Sequence, residues 1–196
     1  MSFLFQSLKK LRLGLVISVS SHADAPRKSA WNPTSATNYA LKYAKNPNPN
    51  YILFPNDCTN FVSQIMRAGG WKDTATKQST QDSSWYYNSK TSYSQTWSTA
   101  HGLRNRLNNG YELGAEKLSR SFGGVGGAYL NSKIAKGDVV FADWTGDGRY
   151  DHAMSVVDKS YADTTVAYHS NNEDKGSMVS ISAQNRFASF EAFHIS

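Results

Sequence analysis

The spacing of apolar residues changes period part-way along the chain, and that change restricts the folds open to it. In the first half they recur at helical intervals; in the second they alternate, as on strands with one buried face. Asn32-Pro33-Thr34 supplies a cap and a first turn for a helix to about Lys45, with Ala36, Tyr39, Ala40 and Tyr43 on one side, ended by Asn46-Pro47-Asn48-Pro49-Asn50. A second helix is predicted from about Asp57 to Ala68, closed by Gly69-Gly70, with Cys58, Phe61, Val62 and Ile65 on its inward face. Residues 72–96, rich in Trp, Tyr and Ser, show no period and read as an ordered loop before a helix from Thr99 to Leu107; Gly123 to Gly127 reads as a turn. Strands are predicted at Asp138–Ala142, His152–Val157, Thr164–His169, Met178–Ser182 and Phe193–Ile195. Helices first and an antiparallel sheet after them argue for an α+β fold, with the Cys58 helix packed on the sheet.

The 196 residues suit one domain, and no repeat or linker divides them. Residues 1–25 read differently. Lys9, Lys10 and Arg12 precede an apolar run from Leu13 to Val19, and Ala23-Asp24-Ala25 fits a cleavage site, the order of a secretory signal peptide, with a disordered leader as the alternative. The apolar run is too short to span a bilayer. The expected organisation is therefore a leader at 1–25 and one domain at 26–196, secreted or wall-associated and monomeric. A formal charge of +6 favours anionic partners, of which the cell wall is one. The basic residues are scattered and not interleaved with aromatics, which argues against nucleic acid as a partner.

The chain has one cysteine, so no intrachain disulfide can form. Cys58 has two readings. A free cysteine often fills the core; a thiol in the first turn of a helix also meets unpaired N–H groups that favour the thiolate and can stabilise an oxyanion. His152, at the start of a predicted strand, can accept a thiol proton, or be a solvated loop-edge histidine. A hairpin through Asp158 to Asp163 that pairs Val157 with Thr164 sets His169 opposite His152; a shift by two sets Asn171 there instead, and either side chain can orient the imidazole. His22, His101 and His194 have weaker cases.

The segments Asn56-Asp57-Cys58-Thr59-Asn60-Phe61-Val62-Ser63-Gln64, Ser84-Trp85-Tyr86-Tyr87, Gly137-Asp138-Val139-Val140-Phe141 and Asp151-His152-Ala153 resemble the bacterial "putative amidase domain" family, relatives of the NlpC/P60 and CHAP peptidoglycan hydrolases. The resemblance runs from about Thr34 to Ile195. It implies a papain-like fold and a cysteine amidase or peptidase acting on cell-wall peptides, with Cys58 as nucleophile, His152 as base and His169 or Asn171 as the third polar member. Asp57, Asn60, Trp85 and Tyr86 are then the candidate substrate contacts. Papain-like enzymes also use a side chain upstream of the nucleophile for the oxyanion; Asn56, Asp57 and Tyr51 are the candidates here. Acyl transfer through a thioester needs no cofactor, and hydrolase and acyltransferase share these residues.

Asp143, Thr145, Asp147 and Asp151 stand at positions 1, 3, 5 and 9 of an EF-hand-like loop with Gly148 at position 6, a spacing that suits calcium. Position 12 is Met154, without the bidentate carboxylate, so a tight Asp/Gly turn between strands competes with a structural calcium site. A non-catalytic wall-binding module, with Trp85, Tyr86, Tyr87, Tyr93 and Trp97 as a stacking surface, is the alternative to an enzyme.

Overall fold

Helix α1 (Pro33–Tyr43) starts where its signals place it: the Asn32 side chain accepts a hydrogen bond from the Ser35 N–H at 2.9 Å, and Pro33 occupies the first turn. The computed structural model describes residues 31–111, 115–123 and 132–196; the leader, His22 and all but the first residue of the 123–127 turn lie outside them. Helix α2 (Cys58–Ala68) buries every residue from Cys58 to Met66. It ends at Gly69, against which the Trp31 ring lies so closely that a Cβ has no room.

Between the helices and the sheet, residues 72–96 are more structured than their composition implies. A small hairpin, β1 (Tyr87–Ser89) with β2 (Ser92–Tyr93), leads into a short helix α3 (Gln95–Ser98) and then α4 (Ala100–Asn108). Trp71, Trp85, Tyr87 and Trp97 pack with Val62 and Met66 of α2 into one core cluster.

The remaining strands are β3 (Ala115–Phe122), β4 (Val139–Asp143), β5 (His152–Lys159), β6 (Thr164–Tyr168), β7 (Glu173–Ser177) and β8 (Ser189–Ile195), with helix α5 (Met178–Gln184) between the last two. They form one antiparallel sheet in the order β3-β8-β4-β5-β6-β7. The fold is α+β. One face of the sheet, through Val139, Phe141, Ala153 and Phe193, meets α2 and the tryptophans; the other, through Val140, Ala142, Met154, Val156 and Phe190, meets Met178 of α5 and Ile134. Ala36, Ala40, Phe61 and Ile65 of α1 and α2 close over Val157 and Ala167.

Two expectations are corrected. The predicted strand at Met178–Ser182 is the first part of α5, because Ser177 caps it by accepting from the Ser180 N–H at 3.0 Å and Met178 and Ser182 are buried on one side of a helix. The predicted pairing of Val157 with Thr164 does not form. The ladder runs Ser155 to Ala167 and Val156 to Val166, a bulge follows, and Asp158 then pairs with Thr165 and Lys159 with Thr164. One residue of slip exchanges the faces of a strand. The register of these pairs, carried on past the end of β6, points His169 at Ala153 and not at His152.

Candidate active site

Cys58 is the first residue of α2 and is 4% exposed. Its Sγ lies 3.7 Å from the Thr59 hydroxyl and donates to the Asp151 carbonyl at 3.9 Å, so the thiol rests over the backbone that opens β5. Burial pushes the Cys58 thiol up; hydrogen bonding from the Thr59 hydroxyl and the Ala153 and Thr59 N–H groups recovers only part of that rise. Here the first-turn position is outweighed by the loss of water, and the resting sulfur is a thiol.

His152 opens β5 and is 9% exposed. Its ring stands between Trp144, 5.6 Å away, and the edge of Tyr168, 5.0 Å away, on the Met154 and Val156 face of the sheet. Burial lowers its pKa to about 4, so at neutral pH it is an uncharged base. Among the described residues no hydrogen bond reaches its ring, and none joins it to Sγ. What the fold brings together is their access: Cys58 and His152 line one cavity of about 590 Å³, with Asn56, Asp151 and Asn171 among its other polar walls.

The two proposed orienting residues part company. Asn171 lines the cavity, in a turn where Ser170 and Asn172 both take positive φ, 89° and 52°. His169 faces α1 and α2: its Nδ1 lies 2.5 Å from Asp57 Oδ2 and its Nε2 3.0 Å from the Tyr43 carbonyl oxygen. Of the upstream oxyanion candidates, Asn56 alone lines the cavity; Tyr51 stacks on Trp97 and Asp57 is buried against His169.

The expected substrate contacts are built into the interior. Trp85 is fully buried and donates its Nε1–H to Ser63 Oγ at 3.2 Å, and Tyr86 is 6% exposed. Asn60 donates to the Ile52 carbonyl at 2.7 Å and to Asp57 Oδ1 at 2.8 Å, and accepts from the Trp97 indole at 2.7 Å. Asp57, Asn60, Trp85 and Tyr86 therefore pack behind the start of α2 instead of lining the cavity. The same burial takes Trp85, Tyr86, Tyr87 and Trp97 out of any stacking surface. The polar side chains Gln184 and Asn185 that do line the cavity carry no motif in the sequence; they arrive through the α5 helix that the alternation hides.

In the Asp/Gly loop, Asp143 accepts the Gly146 N–H at 2.7 Å and the Gly148 N–H at 2.8 Å, Asp147 accepts from Arg149 N–H, and Asp151 from Trp144 N–H. Thr145 donates to Asp143 at 3.4 Å. The four expected calcium donors thus satisfy their own turn, and among the described residues no group of three or more His, Cys, Asp or Glu is placed to hold a metal ion. His101 accepts the Tyr150 N–H at 3.3 Å and His194 pairs with Asp138 at 2.9 Å, so neither belongs to the cavity.

The family model "Putative amidase domain" matches residues 30–191, which include both Cys58 and His152. The chain belongs to this family. Two curated proteins of Bacillus subtilis (strain 168) are similar to it: the uncharacterized protein YhbB, 30% identical over 81% of this chain and 42% of its own length, and the uncharacterized protein YjcM, 32% identical over 70% and 30%. The chain spans less than half the length of either relative. No solved structure matches it. Amide-bond hydrolysis is the activity that the amidase family description carries, and among the described residues no helix is long and apolar enough to cross a membrane.

Proposed function

We propose that the chain is a cysteine-dependent amide hydrolase, kin to the NlpC/P60 and CHAP papain-like enzymes, that cuts peptide bonds of the cell wall outside the cell. The observation that carries the reading is the opening of one cavity onto both Cys58 at the tip of α2 and an uncharged His152 at the head of β5. In the proposed reaction the substrate carbonyl enters between them and the His152 ring turns within the cavity to reach Sγ. The thiol proton passes to the imidazole as the S–C bond forms. The Cys58 N–H and the Asn56 amide receive the oxyanion. Collapse breaks the C–N bond, and the imidazolium gives its proton to the departing amine. Water then attacks the thioester with His152 as base, releasing the acid and restoring the thiol. Asn171 is the polar neighbour proposed to steady the ring, and no cofactor enters the scheme.

The test is incubation with purified peptidoglycan and defined muropeptides, followed by mass analysis. New free amino and carboxyl ends are expected with the parent chain and none with Cys58→Ala at an unchanged circular dichroism spectrum. Hydrolysis retained by folded Cys58→Ala would overturn the proposal.

A further inference from the structure

The cavity holds His152 and Asn171, but a further buried imidazole stands behind the start of α2, outside that cavity. His169 is 1% exposed and Asp57, the residue immediately before Cys58, is 2% exposed. Each ring nitrogen of His169 faces an acceptor, the Asp57 carboxylate at 2.5 Å and the Tyr43 carbonyl at 3.0 Å, and both bonds are complete only when the ring carries two protons. The Tyr43 carbonyl belongs to the last turn of α1, whose partial negative charge favours a cation, and the ring lies flat on Phe61 of α2 at 3.8 Å. The other Asp57 oxygen accepts from the Phe54 N–H at 2.9 Å and from Asn60 at 2.8 Å. One imidazole thus ties the end of α1, the start of α2 and the end of β6 at the position preceding the sulfur.

We infer that His169 is a positioning residue for the nucleophile: it fixes the first turn of α2 through Asp57 and cancels the carboxylate charge beside Cys58. An unpaired Asp57 would oppose a second negative charge on the adjacent sulfur, and Asp57 is among the influences that hold the thiol up. Among the described residues the other ionisable groups that line the cavity with the sulfur are Asp151, His152 and Tyr168, on the loop before β5, on β5 and on β6. The inference rests on Cys58 being the nucleophile, yet its test reads the thiol directly and needs no substrate.

The experiment is alkylation of the full chain by iodoacetamide as a function of pH, in the parent, His169→Gln, Asp57→Asn and Asp57→Asn/His169→Gln, with folding followed by circular dichroism. His169→Gln leaves the carboxylate without its cation and should raise the midpoint of the alkylation profile by about one pH unit or more. The double variant removes both charges and should return it to the parent value or below. A midpoint unmoved in folded His169→Gln, or equally high in the double variant, overturns the inference. If His169→Gln does not fold, Asp57→Asn and the double variant decide: a midpoint above the parent's in either one refutes the charge-cancelling role. Failure of peptidoglycan cleavage with these profiles intact would instead count against the hydrolase reading alone.

Discussion

His152 is a buried ring without a hydrogen bond among the described residues, and the physical consequence is a proton it refuses. Its pKa falls from an ordinary 6.5 to about 4 because the cavity walls, Trp144 and Tyr168 foremost, replace water around the charged form. Above pH 6.5 neither the folded nor the unfolded chain holds that proton. As pH drops from 6.5 through 4 the unfolded chain takes it up first, so the contribution is full at neutral pH and is lost across that window, by about 3 kcal/mol at most. Urea titrations at pH 7 and pH 4.5 should show this loss in the parent and a shallower one in His152→Leu; equal slopes in the two chains would contradict it. That Cys58 opens a helix and His152 a strand was legible in the sequence, and the structure sets both on one cavity. His169 and Asn171 were both read as groups that could orient His152; a bulge after Val156 slides β6 by one residue and His169 faces Asp57 instead, while the turn with positive φ at Ser170 and Asn172 carries Asn171 to the cavity. Nothing in the composition around Val157 marks that bulge.

At the scale of elements, the two strands of the large sheet missed by periodicity share a cause. β3 and β7 are the two edges of the sheet, and their sequences are charged and polar, Glu116-Lys117 in one and Glu173-Asp174-Lys175 in the other. Edges protected by charge against further pairing lose the apolar alternation by which strands are read. α5 misleads in the opposite direction, because the short run Met178-Val179-Ser180-Ile181 is brief and β-branched enough to be read as a strand, although Met178 and Ile181 share a cluster only on a helix. What separates the two is the Ser177 cap. Replacing Ser177 by Ala should cost about 1 kcal/mol, and because α5 carries Gln184 to the cavity the loss should show as faster amide hydrogen exchange over residues 178–184. Exchange in α5 no faster than in the parent would refute the cap's role. α1, α2 and α4 were readable because each has a side-chain cap or a glycine stop and a continuous inward face.

For the whole molecule, the site depends on a sheet covered on both faces and tied at its β3 edge. Glu191 of β8 is 1% exposed and joins Arg104 of α4 at 2.5 Å and Lys117 of β3 at 2.6 Å. Burial pushes its carboxyl up, but hydrogen bonds from Arg104 and Lys117 outweigh that and hold it below the usual carboxylate range. Glu191→Ala strands the Arg104 guanidinium against the sheet and should destabilise the fold by about 2 kcal/mol, less than a fully enclosed pair because Lys117 is partly exposed, as denaturant midpoints at neutral pH will read. An unchanged midpoint would mean that this edge is held by packing alone. The α+β class and the layer order follow from the sequence; the cavity does not, because its walls come from segments far apart in the chain, from Asn56 to Asn185. In the proposed reaction the cavity's sulfur forms a covalent acyl intermediate. Rapid quenching of the chain with an activated ester of a wall-type peptide, followed by digestion and mass analysis, reads that bond directly. The acyl mass is expected on the peptide containing Cys58, formed at the rate of the first turnover; ester turnover with that peptide unmodified at every time point would rule out the thioester.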